Sequence, residues 1–267
     1  MNQPEFITKQ YTISPAAGKR LIAKALLQIP SIQEALENRT VVVAAGTTNA
    51  YVAEEFLGKL GQLEGFSRNR FFRGVTLPHN YKRQDLGSPS SPAPNEENKF
   101  LGDVVIVKGV WAKGMTIFDV AEELKTGDII LKGANAVNLE MNQAAVLIGH
   151  PTAGTTNPIL QCSAGRRVEL YLPVGLEKRI SGNINDIAVK LNSANASGPR
   201  YLPVSGKIVT ELQAVKLLTG AEAELVASGG VCGAEGSYWL AVTGTEEQLT
   251  KMDSVYEGIK GEGNFIL

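Results

Sequence analysis

"TVVVAAGTTNAYVAEE", residues 40–55, is the stretch on which the reading of this chain turns. Val41, Val42 and Val43 form a β-branched run with no polar alternation, the pattern of a strand covered on both faces, as in a parallel sheet. Gly46 closes that run, and Ala50, Tyr51, Val52 and Ala53 continue at helical spacing, so the stretch reads as strand, tight turn and helix. A helix that starts at the carboxyl edge of a sheet leaves backbone N–H groups unpaired, and these favour an anion.

The centre of this turn, Ala45-Gly46-Thr47-Thr48-Asn49, recurs unchanged as Ala153-Gly154-Thr155-Thr156-Asn157. The flanks differ, so the repeat is of a turn and not of a domain. Threonine and asparagine also cap helices without a ligand. The second copy follows the apolar run "AAVLIG" and places Pro158 where a first helical turn tolerates it, so two such turns on one sheet edge are expected to face one pocket. Between them, Lys132-Gly133-Ala134-Asn135 ends the apolar run "DIIL". A lysine there is poorly placed for a core and well placed for a phosphate or carboxylate, with Asn135 and Asn138 as neutral partners. The plain alternative is a lysine whose stem lies on the strand and whose amine reaches solvent.

Working outward, "PAAGKRLIAKALLQI" and "IQEALEN" read as helices before the first strand, the second capped by Ser31. Strands are expected at "FFRGVTL", "DVVIVKG", "DIILKGA", "AAVLIG" and "VELYLPV", with a helix over "TIFDVAEELKTG". This alternation predicts an α/β main domain over residues 1–197, a largely parallel sheet with helices on both faces. From 198 to 267 the order becomes strand "RYLPVSG", helix "VTELQAVKLLTG", strands "AELVASGG" and "SYWLAVTG", then helix "TEEQLTKMDSVYEGIKG". That is most of a small ferredoxin-like α+β domain, with "GNFIL" as its last strand. Thr245 followed by Glu246 and Glu247 reads as a helix cap with an acidic first turn. Residues 83–99, with Pro89, Pro92 and Pro94, read as a solvated excursion or a lid.

Composition narrows the partners. Lys and Arg number 26 against 27 Asp and Glu, so no overall field recommends nucleic acid or a charged membrane. The N-terminus lacks a signal-peptide pattern and no apolar run is long enough to span a bilayer, which predicts a cytoplasmic protein. Cys162 and Cys232 are too few for a disulfide framework and are expected in the core. His79 and His150 have no metal-ligand spacing, so neither a metal nor a cofactor is expected. A homo-oligomer is compatible with all of this.

At the first turn the chain resembles the ribose 5-phosphate isomerase group, within a superfamily that includes glucosamine-phosphate isomerases, DeoR-type effector domains and CoA transferases. The resemblance runs from about residue 38 to 180. Gly46-Thr47-Thr48, followed by Ala50-Tyr51 and Glu54-Glu55, are similar to the end of that group's Gly-Thr-Gly-Ser-Thr phosphate clasp and the helix after it. The group's Asp-Gly-Ala-Asp-Glu-Val-Asp run aligns with Lys132-Gly133-Ala134-Asn135-Ala136-Val137-Asn138, where one lysine and two asparagines replace acidic residues. The resemblance therefore implies a phosphorylated or carboxylated small metabolite at Gly46–Asn49, Lys132, Gly133, Asn135, Asn138 and Gly154–Asn157. Proton transfer would need another base. Glu140 is the nearest remaining carboxylate, either as a base or, by analogy with CoA transferases, as a nucleophile. His150 is the second candidate for moving a proton. The implied functions are a sugar-phosphate isomerase-like or acyl-transfer enzyme and, as the alternative, a non-catalytic effector-binding module.

Overall fold

The structure, a computed structural model, describes residues 6–73, 76 and 102–264. The chain opens with β1 (Ile7–Ile13), α1 (Pro15–Leu26) and α2 (Pro30–Asn38), and continues with β2 (Thr40–Val43) and α3 (Thr47–Lys59). The hairpin β3 (Val104–Val107) and β4 (Val110–Trp111) follows, then the single turn α4 (Ile117–Val120), β5 (Ile129–Leu131), β6 (Ala136–Asn138) and β7 (Gln143–Ile148). The remainder is α5 (Thr156–Leu160), β8 (Glu169–Pro173), α6 (Ile184–Leu191), β9 (Arg200–Val204), β10 (Lys207–Val209), α7 (Glu211–Thr219), β11 (Glu222–Ser228), β12 (Tyr238–Gly244) and α8 (Glu246–Glu257).

Six strands form the central sheet in the order β10-β8-β5-β2-β3-β4. The first four run parallel, with Val43 level with Leu131 and Leu131 level with Tyr171. β3 and β4 close the other side antiparallel. The expected run of buried valines is the heart of this sheet: Val41 and Val43 face the cluster that holds Leu21, Leu36 and Phe56, while Val42 faces the opposite cluster. Helices α1, α2, α3 and α7 cover the first face.

The second face is covered differently from the expectation of helices on both sides. Among the described residues only the short α4 and α5 reach it, and most of its cover is a separate antiparallel sheet, β6-β7-β9, through Val137, Ala144, Val146 and Val204. The apolar run "AAVLIG" is therefore β7 of this covering sheet and not a strand of the central one. A continuous apolar run specifies burial on both faces but not the sheet that provides it.

Three strands of the third sheet, β1-β12-β11, are antiparallel neighbours, so β1 and β11 run parallel with β12 between them. This is the strand order of a split βαβ unit, but its first strand comes from residues 7–13. The stretch "RYLPV", expected in that role, is β9 and pairs with β7, and β10 joins the central sheet. Gly263 and Asn264 lie in no strand, and the rest of "GNFIL" lies outside the described residues. Leu240 and Val242 of β12 share one core with Leu21 of α1, Val215 of α7 and Met252 of α8, so the small sheet and the helical face of the large one are packed as one body.

Several local expectations are corrected by particular contacts. Phe71, Phe72, Arg73 and Thr76 form no strand, and the remainder of "FFRGVTL", His79 and residues 83–99 are outside the described residues. The helix over "TIFDVAEELKTG" is cut to one turn behind a Thr116–Asp119 capping box, because Asp128 takes the Lys125 N–H at 2.8 Å and folds the chain back. Ser31 does not cap α2; Ile29 holds the cap position, and the Ser31 hydroxyl meets Tyr171 Oη at 2.9 Å. Cys162 is buried, but Cys232 is exposed in the β11–β12 turn at φ 55°. Thr245 caps α8 as read, in a capping box with Gln248. Among the described residues no helix is long and apolar enough to cross a membrane.

Candidate functional site

The carboxyl ends of the four parallel strands deliver four segments to one edge. These are Ala44-Ala45-Gly46 after β2, Lys132-Gly133 after β5, Gly175 to Lys178 after β8, and Thr210-Glu211 after β10. Hydrogen bonds keep them level: Ala44 N–H donates to Leu131 O at 3.0 Å, Lys132 N–H to Tyr171 O at 2.9 Å, and Val174 N–H to Val209 O at 3.1 Å. Ligands of open parallel sheets bind outside this edge.

Gly46 takes the cap position of α3 in extended backbone, with no side-chain cap. None of the N–H groups of Gly46, Thr47, Thr48 and Asn49 has a hydrogen-bond partner among the described residues. A Cβ built on Gly46 or on Gly133 would meet nothing within 4 Å, so the edge is open above both. The Asn49 side chain is not turned to this space alone: its Nδ2 donates to Ala44 O at 2.7 Å and Leu131 O at 2.9 Å, tying the ends of β2 and β5 together. Its Oδ1 and the Thr48 Oγ1 are buried without a partner.

Asp103, fully buried at the start of β3, was not singled out by its sequence context. Its Oδ1 accepts from Ala45 N–H at 2.9 Å and Arg73 Nη2 at 2.7 Å, and its Oδ2 accepts from Ile117 N–H at 2.9 Å. The carboxylate is consumed as the floor under the turn.

Lys132 makes no ion pair among the described residues, and its Nζ has only a long 3.4 Å contact with Gly133 O. By accessible surface the side chain is partly exposed, yet enough protein surrounds the amine that burial holds its pKa down, at about 8. Arg73 and Lys178 push in the same direction, and Asp103 opposes them. Lys178 is also without an ion pair among the described residues, and burial lowers its pKa, with Lys19 adding to the effect and Glu177 and Glu211 opposing it. Two desolvated ammonium groups, neither in an ion pair among the described residues, thus stand at the same strand ends as the N–H groups that open α3.

The remaining candidates fall elsewhere. Asn138 is spent in its turn, donating to Gly182 O at 3.1 Å and accepting from Met141 N–H at 2.9 Å. Asn135 Oδ1 accepts from Leu147 N–H at 3.0 Å. Glu140 is exposed in the β6–β7 turn. Next to it, Asn142 and Gln143 line a cavity of about 240 Å³ with Ser205 and Gly206, which lead into β10, so this turn lies toward the amino edge. His150 is exposed, and its Nδ1 stays within its own turn, 2.9 Å from Thr152 Oγ1.

The second AGTTN differs from the first in its backbone. Ala153 and Gly154 are left-handed, at φ 61° and 54°. Thr156 N–H donates to Ala153 O and Asn157 N–H to Gly154 O, both at 3.2 Å, so donors left open in the first copy are filled in the second. It also follows β7, outside the central sheet, and α5 spans only 5 residues.

A larger cleft, about 490 Å³, lies on the helical face between α1 and α3 and is lined by Arg20, Gln33, Glu54, Glu55 and Lys59. Most of its charge is already paired, with Arg20 bound to Glu54, Glu55 and Glu262, so it offers little to a ligand. Among the described residues there is no group of three or more His, Cys, Asp or Glu able to hold a metal. Against family models, curated proteins and solved structures the chain has no match, and the site is read from its own residues.

Proposed function

We propose that this chain binds a small phosphorylated or carboxylated metabolite at the carboxyl edge of its parallel strands. The observation that carries the reading is the pair Lys132 and Lys178, two desolvated ammonium groups in no ion pair among the described residues, beside the open N–H groups of Gly46 to Asn49. Desolvating a lysine is costly, and a bound anion repays that cost. The resemblance of Gly46-Thr47-Thr48 to a sugar-phosphate clasp points to phosphate as the first anion to test.

Within this reading, sugar-phosphate isomerisation or acyl transfer through Glu140 has little support, because that carboxylate is exposed toward the opposite edge. The same observation favours the second reading, an effector-binding module without chemistry at Glu140. Calorimetric titration with inorganic phosphate, sugar phosphates and dicarboxylates, on the native chain and on Lys132→Ala and Lys178→Ala, tests the site. Each variant is expected to weaken binding about tenfold or more, the loss of one charge-assisted contact. Equal affinity in all three proteins would place the ligand elsewhere.

A further inference from the structure

Lys132 is placed for more than charge. An amine that attacks a carbonyl must be unprotonated, reachable and free of a carboxylate partner, and an anion-binding surface beside it would hold a charged electrophile in position. Lys132 has the geometric features. Its Nζ makes no ion pair among the described residues, its side chain is partly exposed, Gly133 leaves the space next to it empty, and the unpaired N–H groups of α3 begin at the neighbouring strand end.

We propose that Lys132 forms a reversible imine with an aldehyde or ketone that carries a phosphate or carboxylate. This rests on the anion-binding reading and names the reactive group of the same ligand. The amine lone pair adds to the carbonyl carbon, and the nitrogen's proton passes to the oxygen, giving a carbinolamine. Protonation of that hydroxyl and loss of water leave a protonated imine, and hydrolysis reverses both steps, so no oxidant or reductant is required. Lys178, which lies within electrostatic reach of Lys132, is the candidate to supply the proton that departs with water.

Electrostatics supports the geometry. With a pKa of about 8, roughly a tenth of Lys132 is unprotonated at neutral pH, about 200- to 300-fold more than for an ordinary lysine. Surface lysines such as Lys216 and Lys251 instead sit in exposed ion pairs with Glu222 and Glu247.

The experiment is reductive trapping on the full chain. Pyridoxal 5′-phosphate and phosphate-free pyridoxal are each offered at neutral pH with cyanoborohydride, with and without inorganic phosphate, and the modified peptide is found by mass spectrometry. Expected is labelling of Lys132 at least about tenfold above any exposed lysine, stronger with the phosphorylated aldehyde and suppressed by inorganic phosphate. Lys178→Met should move the pH dependence of Lys132 labelling upward, because a neighbouring positive charge is lost. Labelling spread over surface lysines, with Lys132 no faster than the rest, overturns the imine. If inorganic phosphate still binds in that case, the anion site stands without it. Conversely, fast labelling of Lys132 by both aldehydes with no protection by phosphate keeps the imine and removes the anion site.

Discussion

Glu211 should make the stability of this protein fall as pH rises through neutrality. It is fully buried at the start of α7, where Oε1 accepts from Tyr238 Oη–H at 2.6 Å and Oε2 from Leu176 N–H at 2.9 Å. Burial raises its pKa from 4.5 to about 7, with the Glu177 carboxylate adding to the rise and the hydrogen bonds opposing it. A carboxyl group whose folded pKa lies above its unfolded value favours folding while protonated. That stability is complete below about 4.5 and is lost as pH rises through about 7. At about 1.4 kcal/mol per pH unit, the interval amounts to about 3–4 kcal/mol. Urea unfolding of the native chain and of Glu211→Gln between about pH 5 and about pH 8 reads this directly. The native chain should lose about 2–3 kcal/mol more than the variant over that range. Parallel stability curves would refute the argument, because the glutamine cannot titrate. Lys132 does not confuse the comparison, since it is unchanged in both proteins.

Other substitutions test the packing and the site separately. Gly18→Ala places a methyl 2.0 Å from Tyr238 Oη and 2.4 Å from Glu211 Oε1, so it should destabilise by about 1–3 kcal/mol in denaturant unfolding even though alanine is the better helix former. Asn49→Ala removes both hydrogen bonds that join the ends of β2 and β5 and should cost about 2–4 kcal/mol in the same assay. A loss below about 0.5 kcal/mol would show that water replaces the side chain. Gly46→Ala should leave stability within about 0.5 kcal/mol, because its Cβ meets nothing and its φ is 176°. The same methyl enters the open space at the turn, so phosphate affinity measured by calorimetry should fall.

The central strand, the turn and helix after it, and the helix cap at Thr245 were legible because their signals are local. Three β-branched residues, a glycine and a helical period lie within residues 40–55, and the cap completes its hydrogen bonds within three residues. Lys132 was legible for a related reason, as a charge at the end of an apolar run. What could not be read is pairing over distance. "AAVLIG" and "DIIL" look alike in sequence, yet one pairs with β9 in the cover and the other lies in the central sheet. Residues 7–13 alternate too weakly to announce a strand, but β12 captures them across the whole chain. Asp103 and Lys178 gain their place in the site from strands that meet only in three dimensions. Within "LEKR", Lys178 has the sequence context of a solvated turn. The repeated AGTTN shows the limit most clearly, since one pentapeptide starts a helix with open donors after β2 and folds into a left-handed, self-bonded turn after β7.

The most direct test of the anion site is a crystal structure of the native chain soaked with tungstate, a heavy tetrahedral stand-in for phosphate that anomalous scattering locates without ambiguity. The account requires the strongest peak at the carboxyl edge, within hydrogen-bond distance of N–H groups from Gly46 to Asn49 and of the Lys132 amine. Tungstate held only at surface lysines, or at the second AGTTN turn with the first left empty, would contradict it.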